Sequence, residues 1–221
     1  MERNRQGGES KQRKAQRAQK IESLLQGQYP SASVALRYAN PLQLLISVIL
    51  SAQCTDARVN MATPSLFKKY QTAAAFAHAN PSELEHIIHS TGFFHNKAKN
   101  ITNCCRVLIE KYEGEVPSSM DELIQLPGVG RKTANCVLSG AFNIASGIVV
   151  DTHVARLSKR LGLTRNSDPV KIESDLCEVI DHKDWIHFGN ALIQHGRKIC
   201  SARKPQCSIC PLNTVCPSSE A

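Results

Sequence analysis

Two groups of residues in this chain have types and spacing that suit chemistry. The first is Gly128-Val129-Gly130-Arg131-Lys132, followed nineteen residues after the lysine by Asp151. A Gly-x-Gly turn opening a helix lets backbone N–H groups approach a phosphate unhindered, and the helix dipole favours the anion there. An amine and a carboxylate behind such a turn join phosphate binding to nucleophilic and proton-transfer chemistry. The turn is not a nucleotide-triphosphate loop, because Arg131 instead of lysine follows Gly130. Nor does Gly-x-Gly-x-x-Thr complete a dinucleotide fingerprint. Alone, the pair also has a plainer reading, with Lys132 a solvated helix lysine and Asp151 the N-cap of a helix from Thr152 to Leu161.

The second group is Cys200, Cys207, Cys210 and Cys216, spaced Cys-x6-Cys-x2-Cys-x5-Cys. Four thiols in one short polar stretch can close on one metal centre. A structural zinc usually draws on two Cys-x-x-Cys pairs, and only one is present, so the spacing leans toward an iron–sulfur cluster, with zinc the alternative. Cys54, Cys104, Cys105, Cys136 and Cys177 fall in apolar runs and read as packing residues. Nine cysteines, an odd number, with no secretory segment in view, argue against a disulfide framework and for a reducing, cytoplasmic compartment.

The net charge of +8 resides in the ends of the chain, residues 1–20 and 196–221, while the stretch between is neutral overall. Basic ends suit a polyanionic partner, although a solubilising tail would also explain residues 1–20. The longest apolar run, Leu42 to Ala52, falls far short of the roughly 20 residues of a membrane span, so no membrane partner is expected.

Positioning these groups falls to helices. Capping pairs at Asn40-Pro41, Thr63-Pro64, Asn80-Pro81 and Asp168-Pro169 each open one, and Ser119 with Glu122 reads as a capping box before the Gly-x-Gly turn. Apolar positions at helical spacing mark Lys14–Gln26, Leu42–Cys54, Asn96–Tyr112, Arg131 onward and Asp184–Lys198. Asn143–Val150 is the one β-like stretch. About ten helices and no sustained alternation predict an all-α fold.

The hairpin, Val150-Asp151-Thr152-His153 and the cysteine spacing together resemble the endonuclease III family of helix–hairpin–helix DNA glycosylases, over about residues 20–217. Leu50–Asp56 and Thr91–Ile101 fall where that family has its DNA-inserting loops. The resemblance implies two lobes: a six-helix barrel at 34–144 with the helix–hairpin–helix at about 119–140, and an iron–sulfur lobe made of 1–33 and 145–221. It leaves 1–20 as a basic tail. It also implies a bifunctional DNA glycosylase/AP lyase of base excision repair, acting as a monomer near the nucleoid on duplexes with oxidised pyrimidines or abasic sites.

In that reading Lys132 is the nucleophile, Asp151 the catalytic carboxylate, and the four cysteines ligate a [4Fe–4S] cluster. Gln53 and Phe93 fill the gap left by an extruded nucleotide; Phe93 stands where bacterial members often have leucine. Gly128, Val129, Gly130 and Arg131 grip the DNA backbone, joined by Arg203 and Lys204. The competing readings are a monofunctional adenine-type glycosylase, a non-catalytic helix–hairpin–helix DNA-binding module and a zinc-stabilised interaction protein. Lys132 paired with Asp151 argues against the first two.

Overall fold

The computed structural model describes residues 9–220; the part of the basic tail before Glu9 lies outside the described residues. Among these, the chain is all-α, with eleven α-helices, three short 3-10 turns and no strand. It divides into two compact units, Val34–Ser146 and a second made of the chain up to Ser33 together with Gly147 onward.

The Val34–Ser146 unit holds α2 (Pro41–Leu50), α3 (Asp56–Lys69), α4 (Ala73–Ala77), α5 (Pro81–Ile88), α6 (Phe94–Tyr112), α7 (Met120–Leu123) and α8 (Arg131–Ala141). Its centre is α2, which is buried from Leu44 to Leu50 because its sequence is apolar nearly all round. Asn40 starts α2 by accepting from the Gln43 N–H at 2.9 Å, and Gln43 reaches back to the Ala39 N–H at 2.9 Å. The helix α8 lies close against α2 because Gly140 has no side chain. A Cβ there would meet Leu44 Cδ2 at 2.7 Å.

The other unit holds α1 (Lys11–Gln28), α9 (Thr152–Arg160), α10 (Pro169–Cys177) and α11 (Trp185–Lys198). Ala18, Ile21 and Leu25 of α1 pack into its core with Val154, Leu157, Phe188 and Leu192. The tail expected at 1–20 is therefore helix from Lys11 on. Arg17 ties α1 to the end of α9 through the Leu161 and Gly162 carbonyls.

Several boundaries differ from the sequence expectation. Thr55, not Thr63, opens α3 by accepting from the Arg58 N–H, and Pro64 lies inside that helix. The buried stripe Val59, Ala62, Thr63 and Leu66 outweighs the backbone hydrogen bond that a proline removes. Ser119 stands at the N-cap of α7 but makes no capping bond, and α7 ends at Leu123, well before Pro127. Asn143–Val150 is irregular, not a strand, and α4 was not foreseen.

Candidate active site and iron–sulfur centre

The Gly-x-Gly turn joins α7 to α8. Gly128 has φ +78°, which a glycine adopts without strain, and a Cβ there would meet Asn100 Cβ at 2.9 Å. Gly130 is different. Its backbone is extended, and a Cβ would meet nothing within 4 Å. Gly128 is thus fixed by the fold, whereas the space at Gly130 is left open for something outside it. Gly130 caps α8 with no side-chain cap bond and no acid follows in the first turn, an arrangement that suits an anion at the helix start. The Val129 side chain is buried in the core, and its N–H donates to the Leu126 carbonyl at 3.1 Å.

Arg131 and Lys132 are both exposed on the first turn of α8. One turn along, the Cys136 thiol is pushed up to about 11 by burial; Lys132 pulls it down and Asp56 pushes it further up. Lys132 and Asp56 thus both lie within electrostatic reach of Cys136. The Gln53 loop enters α3, and Gln53 is exposed with φ +53°. Phe93 precedes α6 with φ +48° and is 63% exposed, so it is not a core residue.

In the second unit Asp151 is the N-cap of α9. Its Oδ1 accepts from the His153 and Val154 N–H groups, both at 2.8 Å. Oδ2 makes no hydrogen bond among the described residues, so capping one end of the carboxylate leaves the other for chemistry. Its helix is held close to α11 by Gly196, where a Cβ would meet His153 Cβ at 2.9 Å.

Cys200, Cys207, Cys210 and Cys216 line one cavity of ≈ 290 Å³ together with Arg160 and Arg203. Four thiols around one cavity could close on a multi-atom iron–sulfur cluster. Burial, then the neighbouring thiols, hold Cys210 and Cys216 above the ordinary thiol range. A cationic iron centre would relieve that crowding by taking the thiolates as ligands.

Two residues that sequence reasoning missed brace this loop. Arg160 donates to Cys200 Sγ at 3.1 Å and to the Ser201 and Ala202 carbonyls at 2.7 and 2.8 Å. His195 is buried, and burial lowers its imidazole to about 4, so it is neutral. Tyr29 Oη lies 3.1 Å from Nδ1, and Nε2 lies 3.3 Å from Cys210 Sγ. A histidine five residues before Cys200 was the available signal. Arg203 and Lys204 are exposed on a turn closed by Ser201, which donates to the Lys204 carbonyl at 2.6 Å and accepts its N–H at 3.2 Å.

Comparison with known proteins fits this geometry. The sequence model of the HhH-GPD superfamily base excision DNA repair protein matches residues 46–182, and that of the iron–sulfur binding domain of endonuclease III matches residues 200–216. The chain is 54% identical to the endonuclease III of a Synechocystis species, over 94% of this chain and 95% of the relative. Among solved structures, a non-covalent endonuclease III–DNA complex is similar at a TM-score of 0.88 and 45% identity, over 93% of this chain and 96% of that one. A trapped endonuclease III–DNA covalent intermediate matches with the same figures. Four thiols around one cavity, a glycine turn open at Gly130 and relatedness along nearly the whole chain agree: the chain belongs to the endonuclease III family, DNA glycosylases and AP lyases of base excision repair that carry a [4Fe–4S] cluster.

Proposed function

We propose that Lys132 is the nucleophile and Asp151 the carboxylate that assists it, acting on double-stranded DNA that contains an oxidised pyrimidine or an abasic site. One observation carries this reading: Lys132 is exposed on the first turn of α8, directly behind a glycine whose missing side chain leaves open space. A base inside a duplex is out of reach, so the nucleotide is extruded, at a cost of a few kcal/mol. Gly128, Gly130 and Arg131 hold the phosphates beside it, and Gln53 and Phe93 fill the gap.

The neutral Lys132 amine then bonds to the sugar C1′ as the base leaves with the electrons of its glycosidic bond. The Asp151 carboxylate stabilises positive charge developing on the sugar, and its Oδ2 then takes the proton that the bonded Lys132 nitrogen gives up. The C1′–O4′ bond breaks next, its electrons going to O4′, which takes a proton as the ring opens to a protonated imine. That imine acidifies the C2′ proton, whose loss expels the 3′ phosphate and cuts the strand. Cys200, Cys207, Cys210 and Cys216 would hold the cluster, and their ligation would cross-link the loop that bears Arg203 and Lys204. Those two side chains then meet DNA phosphates.

No helix among the described residues is long and apolar enough to cross a membrane. We place the enzyme with the nucleoid, as a monomer.

Lys132→Ala is the test. It leaves the hairpin backbone untouched, so it keeps duplex affinity while strand cleavage at an abasic site is lost. Retained cleavage would assign the amine elsewhere. Gly130→Ala complements it, because its Cβ finds open space in the free protein. It keeps the melting temperature and weakens binding to damaged and undamaged duplex alike. An effect on damaged DNA alone would mean that the turn reads the lesion.

A further inference from the structure

The buried stripe of α6 runs Lys97, Ala98, Ile101, Cys104, Cys105 and Leu108, which puts a lysine on the apolar face of an amphipathic helix. Lys97 is 4% exposed. Its Nζ donates to the Leu50 carbonyl and to the Thr91 carbonyl, both at 2.8 Å. Leu50 is the last residue of α2, and Thr91 is the last residue of the 3-10 turn His89–Thr91. Each is a helix C-terminus, where carbonyls lack partners along the helix and carry partial negative charge. A single ammonium therefore closes two helices at once.

The segments that leave those two ends carry Gln53, three residues beyond Leu50, and Phe93, two beyond Thr91. Both have left-handed backbone, a conformation unfavourable for a non-glycine residue and persisting only where the surroundings enforce it. Lys97 brackets the Phe93 turn twice, since its own N–H donates to the Phe93 carbonyl at 3.1 Å. Burying an ammonium costs several kcal/mol, and a methionine would fill the same space without that cost. What methionine cannot do is hold two carbonyls from separate segments at a fixed spacing.

We propose that Lys97 is a positioning residue that clamps the Gln53 loop and the Phe93 turn together, so that the two side chains enter a lesion gap as one unit. The inference rests on the reading of Gln53 and Phe93 as the gap-filling pair. The clamp acts on discrimination between damaged and intact DNA, not on general affinity, which the glycine turn supplies.

The test compares binding to a duplex holding a stable abasic analogue with binding to the same duplex intact. Lys97→Met lowers the preference for the analogue by about tenfold while intact-duplex affinity stays within about twofold. Gln53→Ala/Phe93→Ala lowers the preference similarly, and adding Lys97→Met to that pair costs little more, because the clamp has nothing left to position. Lys97→Gln, which can still donate to one carbonyl, gives a smaller loss and serves if the methionine variant does not fold. Full preference in a folded Lys97 variant, or equal loss on both duplexes, would overturn the clamp while leaving the gap-filling reading intact. Full preference in Gln53→Ala/Phe93→Ala would overturn that reading, and the clamp with it.

Discussion

The two units present their key residues in the same way and hold them by different physics. Lys132 rides the first turn of α8, pressed onto α2 through Gly140, while Asp151 caps α9, pressed onto α11 through Gly196. Behind α8 lies a continuous apolar core, with Leu44 to Leu50 buried throughout. Behind α9 the apolar core gives way toward the end of the chain. From Cys200 to Glu220 only Leu212 is buried, and that loop is fixed by Arg160 and by Arg156, which donates to the Gly196 and Cys200 carbonyls at 3.0 and 2.9 Å. A stretch with so little apolar surface to bury needs another source of order, and ligation of a cluster by its four thiols would supply it. On the proposed assignments, Lys132 rests on packing and the cluster loop rests on ligation.

The largest expected effect breaks that comparison directly. Cys207→Ser should lose the yellow-brown colour and most of the iron and sulfide, with destabilisation in the class of metal-site loss, about 4–5 kcal/mol or more. Amide hydrogen exchange should show the loop 200–216 unprotected while α8 stays protected. Equal loss of protection in α8 would mean that the barrel unit depends on ligation too.

Next in size are the two close helix contacts. Gly140→Ala forces a methyl against Leu44, and Gly196→Ala forces one against His153, each costing about 1–3 kcal/mol as overpacking. The first should slow the Lys132 chemistry with the cluster spectrum unchanged. The second borders Arg156 Nη2 at 3.1 Å and should perturb that spectrum as well. Identical spectra from both variants would blur the distinction. Denaturant unfolding and visible absorbance give the two readings.

A smaller effect separates the two duties of Asp151. Asp151→Ala removes the cap of α9, worth about 1 kcal/mol, and should lower the melting temperature together with the glycosylase rate. Asp151→Asn can still accept the two N–H groups, so it should keep stability and lose rate. Loss of stability in both, or of rate in neither, would contradict the division between Oδ1 and Oδ2.

The residues proposed to carry the chemistry stand out in the sequence because each depends on local spacing. A glycine turn before a helix, a cap before Thr152 and four clustered cysteines are all short-range signals, as are the Asn40, Asn80 and Asp168 caps that the structure reproduces. What spacing could not show came from tertiary contact. The Val129 side chain is buried, Pro64 is carried inside α3 by packing, and Ser119 heads a helix of only four residues without capping it. Lys97 and His195 show the same limit from the other side. Each stands on a buried helix face, and only the folded chain reveals which carbonyl or thiol it meets.

If Lys132 Nζ is the atom that bonds to DNA, the reaction passes through an imine, and an imine can be caught. Incubation with a duplex containing an oxidised pyrimidine or abasic site, in the presence of borohydride, reduces any protein–DNA imine to a stable amine. Peptide mass mapping of the adduct then identifies the residue. A covalent adduct on Lys132, absent from Lys132→Ala, is the predicted result. Base release with no trapped adduct, or an adduct on another lysine, would contradict the central claim.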